Sequence, residues 1–205
     1  MEVDGRPATD EEVLVNCYAF IMGANPTIPQ AASHLVLLAG QQPEIWTRIR
    51  ADRTLLPTAL EELLRWSSPV NHLLRKATEE VVIGEVAVPA GGLVTAWIAS
   101  ANRDETVFAD PDSFDPVRRP NPHVAFGYGS HRCIGSSAAR TGLRLLIDEM
   151  ATAVESIELG SEVRHLASNF LNGITSLPVI LHPAADTGTS PALPHSGQLA
   201  EGLAY

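Results

Sequence analysis

The chain has 205 residues, 45% of them hydrophobic, and a formal net charge of −10. That length and apolar share allow a full-sized globular core, and the acidic balance argues against nucleic acid or an anionic lipid surface as partner, since both call for an excess of Lys and Arg. No apolar run reaches membrane-spanning length and the start, MEVDGRPATD, lacks the charged and hydrophobic regions of a signal peptide, so the expected setting is cytoplasmic, away from any membrane.

Thr9 followed by Glu12 has the form of a capping box. Val13, Leu14, Cys17, Tyr18, Phe20 and Ile21 then recur at helical spacing, which predicts a long helix starting there. Pro26 and Pro29 would each cost roughly 3 kcal/mol inside a helix, so a kink or break is expected between Gly23 and Pro29. The pattern resumes with Ala32, Leu35, Val36 and Leu38. A second helix is expected over about 43–50, and a third from Thr58, where Thr58 and Glu61 suggest another capping box, to Pro69. From Glu79 on, VVIGEVAVPAGGLVTAWIAS alternates short β-rich runs with Gly-Glu and Pro-Ala-Gly-Gly turn signals and reads as a small sheet. Residues 101–132, rich in Pro, Asp, Asn and Gly, read as a long irregular loop, a kind more often functional than incidental. A helix over about 134–154 follows, and NFLNGITSLPVIL then reads as strands meeting at Asn172-Gly173. The region 1–182 is thus expected to be folded and 183–205, with little periodicity, to be a disordered tail.

The chemistry concentrates in FGYGSHRCIGSSAAR, residues 126–140. Cys17 and Cys133 are the only cysteines, and in a reducing compartment they are expected to be separate thiols. Cys133 follows His131 and Arg132 and precedes a predicted helix, and positive neighbours and a helix N-terminus both favour the thiolate, the form that binds metals and attacks electrophiles. Gly127, Gly129 and Gly135 would let the backbone approach a flat ligand. On the residues alone two readings stay open: a structural cysteine buried in a Gly-rich turn, and a thiolate that is ligand or nucleophile. As a nucleophile paired with His131 it lacks a third group in the sequence to orient the histidine. Glu62 and Arg65, three apart, share a helix face, and the plain reading is a solvated pair contributing about 0.2–0.5 kcal/mol.

Phe126, Gly129, His131, Cys133 and Gly135 fit Phe-x-x-Gly-x-His/Arg-x-Cys-x-Gly at every defining position, and in this the chain resembles the cytochrome P450 family. Three further stretches agree in order: Glu62-Leu63-Leu64-Arg65 resembles the family's Glu-x-x-Arg helix, Phe114 to Arg118 its Phe-Asp-x-x-Arg segment, and Gly173 to Val179 its Gly-x-x-x-Leu-Pro-Val strand. The resemblance implies a mainly α fold with a small β-region, equivalent to the P450 fold truncated to its C-terminal, haem-binding half, as in soluble bacterial members. It implies haem b as cofactor, with Cys133 the axial thiolate that promotes O–O cleavage. Phe126, Gly127 and Gly135 would border the haem. Arg75, His131 and His123 would contact its propionates, and Arg132, Arg140 and Arg144 would attract an acidic redox protein. Glu62, Arg65 and Arg118 become a buried charge network supporting the proximal loop. Gly23, Ala24, Val70, Phe170 and Leu171 would face the substrate.

The implied function is haem-thiolate oxidation of a small, secondary-metabolite-like molecule with O2 and electrons from a ferredoxin and its reductase. One departure concerns the family's Ala-Gly-x-Asp/Glu-Thr pattern. Aligning on Gly23 puts Asn25 at the acid and Pro26 at the alcohol, with Thr27 one place on. Asn25 cannot exchange a proton as a carboxylate does and Pro26 has no hydroxyl, so the catalytic expectation moves to Thr27, to water, or to a reaction making less use of the relay. The missing N-terminal half would leave apolar residues of the first helix uncovered, which predicts self-association or a complementary N-terminal P450 chain. The alternative function is a non-catalytic remnant, or half of a split P450, acting as a binding module.

Overall fold

The computed structural model of the chain describes residues 2–3 and 5–185. Of the expected tail, residues 186–205 lie outside them, while Pro183 still belongs to a strand. Strands β1 (Glu2–Val3) and β2 (Arg6–Pro7) form a short ladder ahead of helix α1 (Asp10–Gln41). The capping box forms as expected: Thr9 Oγ1 accepts from the Glu12 amide at 3.2 Å, and Glu12 Oε2 accepts from the Thr9 amide at 2.8 Å.

Of the expected kink or break in α1 the break does not occur, for Pro26 and Pro29 both sit inside one helix of 32 residues. The carbonyls they leave without an amide donor, four residues back, belong to Met22 and Asn25, which are exposed, so water can serve them. Thr27 Oγ1 donates to the Gly23 carbonyl at 2.7 Å and Ser33 Oγ to the Pro29 carbonyl at 2.9 Å, adding side-chain bonds along the same stretch.

After α2 (Pro43–Ala51) and a 3-10 turn at Arg53–Leu55 comes α3 (Leu56–Ser67). It starts two residues before Thr58, so the second capping box does not form. Thr58 Oγ1 instead donates to the Leu55 carbonyl at 3.0 Å, and Glu61 is drawn to Arg140 and His123. The β-region holds β3 (His72–Lys76), β4 (Val81–Ile83), β5 (Val86–Val88) and β6 (Leu93–Trp97), paired antiparallel as β3 with β6 and β4 with β5. A short helix α4 (Ile98–Ala101) leads into the long loop, which then meets a 3-10 turn at Gly129–His131.

Helix α5 (Ser136–Ala153) follows, then β7 (Val154–Leu159), β8 (Arg164–His165), β9 (Ile174–Ser176) and β10 (Val179–Pro183), with β7 pairing β10 and β8 pairing β9. Asn172-Gly173 is not the expected tight turn. Asn172 is held by Ser67, whose carbonyl accepts from its Nδ2 at 2.6 Å. A Cβ on Gly173 would lie 3.0 Å from the Leu166 Cβ, so the glycine serves a close approach.

The core is helical. Leu35 and Leu38 of α1 meet Trp46 and Ile49 of α2, Leu60 and Leu63 of α3, and Leu143 and Ile147 of α5. Each fully buried leucine or isoleucine contributes about 1.5–3 kcal/mol. In α5 the buried residues Ala139, Leu143, Ile147 and Ala151 are four apart, the stripe expected of a helix with one face inward. The first half of α1 is different, because Leu14, Tyr18 and Ile21 are 70%, 62% and 58% exposed. Among the described residues no helix is long and apolar enough to cross a membrane.

Candidate functional site

Helix α3 carries the support for the site. Glu62 and Arg65 lie on one face and are wholly buried, their charges joined as a two-pronged pair at 2.7 Å for both bonds. Burial of such a pair is tolerable only when its remaining hydrogen-bonding capacity is met. Arg65 donates to the carbonyls of Asn102 (2.7 Å), Pro111 (2.8 Å) and Ser113 (3.1 Å), and Glu62 accepts from Arg118 Nε, Asn121 Nδ2 and the Asp115 amide at 2.9 to 3.1 Å. A loop without regular structure is thereby tied to a helix at many points. The solvated pair expected from spacing alone gives way to the buried network that the resemblance implied.

Asn102, also wholly buried, adds a connection that the sequence did not signal. Its Nδ2 donates to Ser68 Oγ at 2.9 Å and its Oδ1 accepts from the Val124 amide at 2.8 Å, so one side chain joins the end of α3 to the approach of the cysteine loop. That loop turns back on itself: the Gly127 amide donates to the Val124 carbonyl and the Cys133 amide to the Phe126 carbonyl, both at 2.8 Å. Gly127 and Gly129 have φ of +70° and +74°, where a side chain would be strained.

Between this loop and α1 lies a cavity of about 600 Å3, within the usual range for small-molecule sites. Gly23, Ala24, Thr27 and Ala31 of α1 form one wall. Phe126, Gly127, His131, Cys133 and Gly135 form the facing one, and Val70, Leu73 and Ile98 close the side. The Cys133 side chain is exposed, so the structural cysteine sealed in a turn is excluded. Among the described residues no three His, Cys, Asp or Glu converge, so a metal held at Cys133 must bring further donors with it. A metalloporphyrin meets that requirement, and the small residues on both walls leave room for a flat disc. The residues therefore fit haem.

The other expected site residues divide. Asn25 is exposed and takes no part in the cavity wall, since the wall positions of α1 recur at helical spacing on a face that excludes it. Thr27 is on that face. Arg75 is exposed on β3, outside the wall, and donates to the Leu74 carbonyl at 2.8 Å. His123 is a correction: its buried side chain bonds Glu61 at 2.9 Å, away from the cavity. Phe170 and Leu171 also stand outside the wall, held beside it by the bridge of Leu171 to Val70 and the bond from the Asn71 amide to the Phe170 carbonyl at 2.8 Å. Arg140 is no free surface cation, for Glu61 holds it at 2.6 and 2.8 Å.

Fold and site together place the chain in the cytochrome P450 family, whose model matches residues 20–152. It is 41% identical to linalool 8-monooxygenase of Pseudomonas putida over 89% of its own length, and 38% identical to a methyl-branched lipid omega-hydroxylase of Mycobacterium tuberculosis over 87%. Among solved structures it superposes on P450 OxyD, involved in the biosynthesis of vancomycin-type antibiotics, with a TM-score of 0.81, 37% identity and 86% of this chain covered. On CYP108D1 of Novosphingobium aromaticivorans the TM-score is 0.84, with 34% identity and 90% covered. The chain spans 45% of the length of linalool 8-monooxygenase, 42% of the hydroxylase and 45% of each of these two solved chains. The cofactor of this family is haem b.

Proposed function

We propose that the chain supplies the haem-ligating part of a monooxygenase that oxidises a small, apolar organic molecule. The observation carrying this reading is Cys133 in one wall of the cavity with Thr27 in the wall facing it. Cys133 would hold the haem iron through its sulfur, Phe126, Gly127 and Gly135 would border the porphyrin, and His131 would meet a propionate. When bound, the haem supplies the redox and O2 chemistry, which a thiolate ligand biases toward O–O cleavage.

The chain's own groups do the rest. Gly23 and Ala24 add little bulk to the α1 wall and would leave room for a substrate in the cavity, to which Val70, Leu73 and Ile98 present hydrocarbon. Thr27 Oγ1 donates its hydrogen to the Gly23 carbonyl, which leaves its lone pairs to accept from a water in the cavity and orient that water's second hydrogen inward. Proton delivery then runs through water held by Thr27, with Asn25 and Pro26 taking no part. The named activities of the relatives, on linalool and on methyl-branched lipids, support an apolar framework as substrate. Electrons are expected from a ferredoxin and its reductase. Titrating the purified chain with hemin tests the reading: uptake of one haem per chain, with the reduced carbon monoxide band of thiolate ligation, supports it.

A second reading is favoured by the exposed apolar half of α1. In it the site becomes complete only when further polypeptide covers that face, from a complementary P450 chain or a second copy, and the chain alone is a binding module. Colourless protein after hemin titration supports this reading.

A further inference from the structure

Glu61 and Glu62 are neighbours in sequence but 100° apart around α3, and their carboxylates enter different networks. That of Glu61 accepts from Arg140 Nε at 2.6 Å, Arg140 Nη2 at 2.8 Å and His123 Nε2 at 2.9 Å. His123 Nδ1 accepts from the Ala125 amide at 3.3 Å, which leaves Nε2 as the ring's N–H. Burial pushes the Glu61 carboxyl up, but the bonds from Arg140 and His123 outweigh it and hold it at about 2. The ion pair has a purpose beyond itself, because the Arg140 guanidinium lies over the Phe126 ring, 4.6 Å from its centroid. Phe126 in turn accepts the Cys133 amide on its carbonyl at 2.8 Å.

We propose that Arg140 is a positioning residue: held by Glu61, whose carboxylate His123 also bonds, it clamps Phe126 and thereby fixes the backbone that presents Cys133. The inference rests on Cys133 as haem ligand and deepens that reading. The clamp ties α3, α5 and the loop at one ring, from the second turn of α5. It also places a positive and a negative charge beside the Phe126 ring, on residues outside the cavity wall. Removing either charge loosens the same ring, while the two removals leave opposite charges behind.

Amide exchange at Cys133 in the haem-free chain and the reduction equilibrium of the haem-loaded chain test this together, in Arg140→Met, Glu61→Gln and the double variant. Exchange at Cys133 is expected to quicken by about tenfold in each single variant, and by no more in the double. Arg140→Met, leaving a carboxylate, should shift the equilibrium toward the oxidised form by about threefold, and Glu61→Gln, leaving a guanidinium, toward the reduced form. A purely structural defect would move both variants the same way. Shifts of one sign, or unchanged exchange at Cys133 in the folded variants, would overturn the proposal. Should Arg140→Met not fold, Glu61→Gln and His123→Phe give the same exchange readout. A chain that takes up no haem yet shows quickened exchange would count against haem binding by this chain alone, as the second reading has it, while the clamp stands.

Discussion

Gln30 pairs with Ile174 as one strand residue pairs with another: its Oε1 accepts from the Ile174 amide at 2.6 Å and its Nε2 donates to the Ile174 carbonyl at 3.4 Å. The side chain belongs to the middle of α1 and the backbone to β9, 144 residues later. This contact fixes the long helix against the end of the fold, at a position between the cavity residues Thr27 and Ala31. Gln30→Ala leaves a half-buried amide unmet and is expected to destabilise by about 1–3 kcal/mol. Chemical denaturation measures that loss, and an unchanged midpoint would show the bond to be incidental.

Glu62 and Arg65 predict a larger effect. Glu62→Gln leaves the wholly buried Arg65 without its counterion and should cost about 3–5 kcal/mol, while Arg65→Met leaves Glu62 paired with Arg118 alone and should cost less. Because the loop carbonyls of Asn102, Pro111 and Ser113 depend on Arg65, proteolysis of Arg65→Met should cut first within residues 102–128. Cleavage elsewhere, with the loop protected, would contradict the network's assigned role.

Two groups set the expected response to acid. His34 is buried on α1, and burial, the largest influence, lowers its pKa from the ordinary 6.5. The unfolded chain therefore binds that proton more readily than the folded one, and stability present above pH 6.5 falls as pH drops below it. Glu61, held at about 2 against an ordinary 4.5, adds a further loss as pH falls from 4.5 toward 2. Thermal melting between pH 8 and pH 3 should thus decline in two stages, roughly below 6.5 and again below 4.5. His34→Gln should remove the first stage, and a first stage that persists in this variant would refute its origin.

The exposed half of α1 predicts association. Leu14 and Tyr18, at 70% and 62% exposure, offer apolar surface that water solvates poorly. The double substitution Leu14→Lys with Tyr18→Lys should leave stability within about 0.5 kcal/mol while raising the monomer fraction in sedimentation velocity. A wild-type chain that stays monomeric at high concentration would contradict the expectation.

Much of this was legible in the sequence because the signals were local. Thr9 and Glu12 announce their cap, α5 announces its stripe, and Cys133 with its glycines announces a thiol presented by an open loop. What was not legible depends on distant partners. Pro26 and Pro29 read as a break because spacing does not say which carbonyls face water. Glu61 read as a capping residue because its partners, Arg140 and His123, are 79 and 62 residues away. Asn102 carried no pattern at all, since its importance lies in three partners joined only by the fold. Its neighbour Arg103, stacked on Trp66 at 5.9 Å, is equally silent in sequence.

The most direct measurement is the reduced carbon monoxide spectrum of hemin-titrated chain in three forms: unaltered, Cys17→Ser and Cys133→Ser. Cys17 lies on α1 outside the cavity wall, so its replacement should leave the thiolate band intact, while Cys133→Ser should abolish it. A thiolate band that survives in Cys133→Ser and disappears in Cys17→Ser would place the ligand outside the cavity and contradict the account.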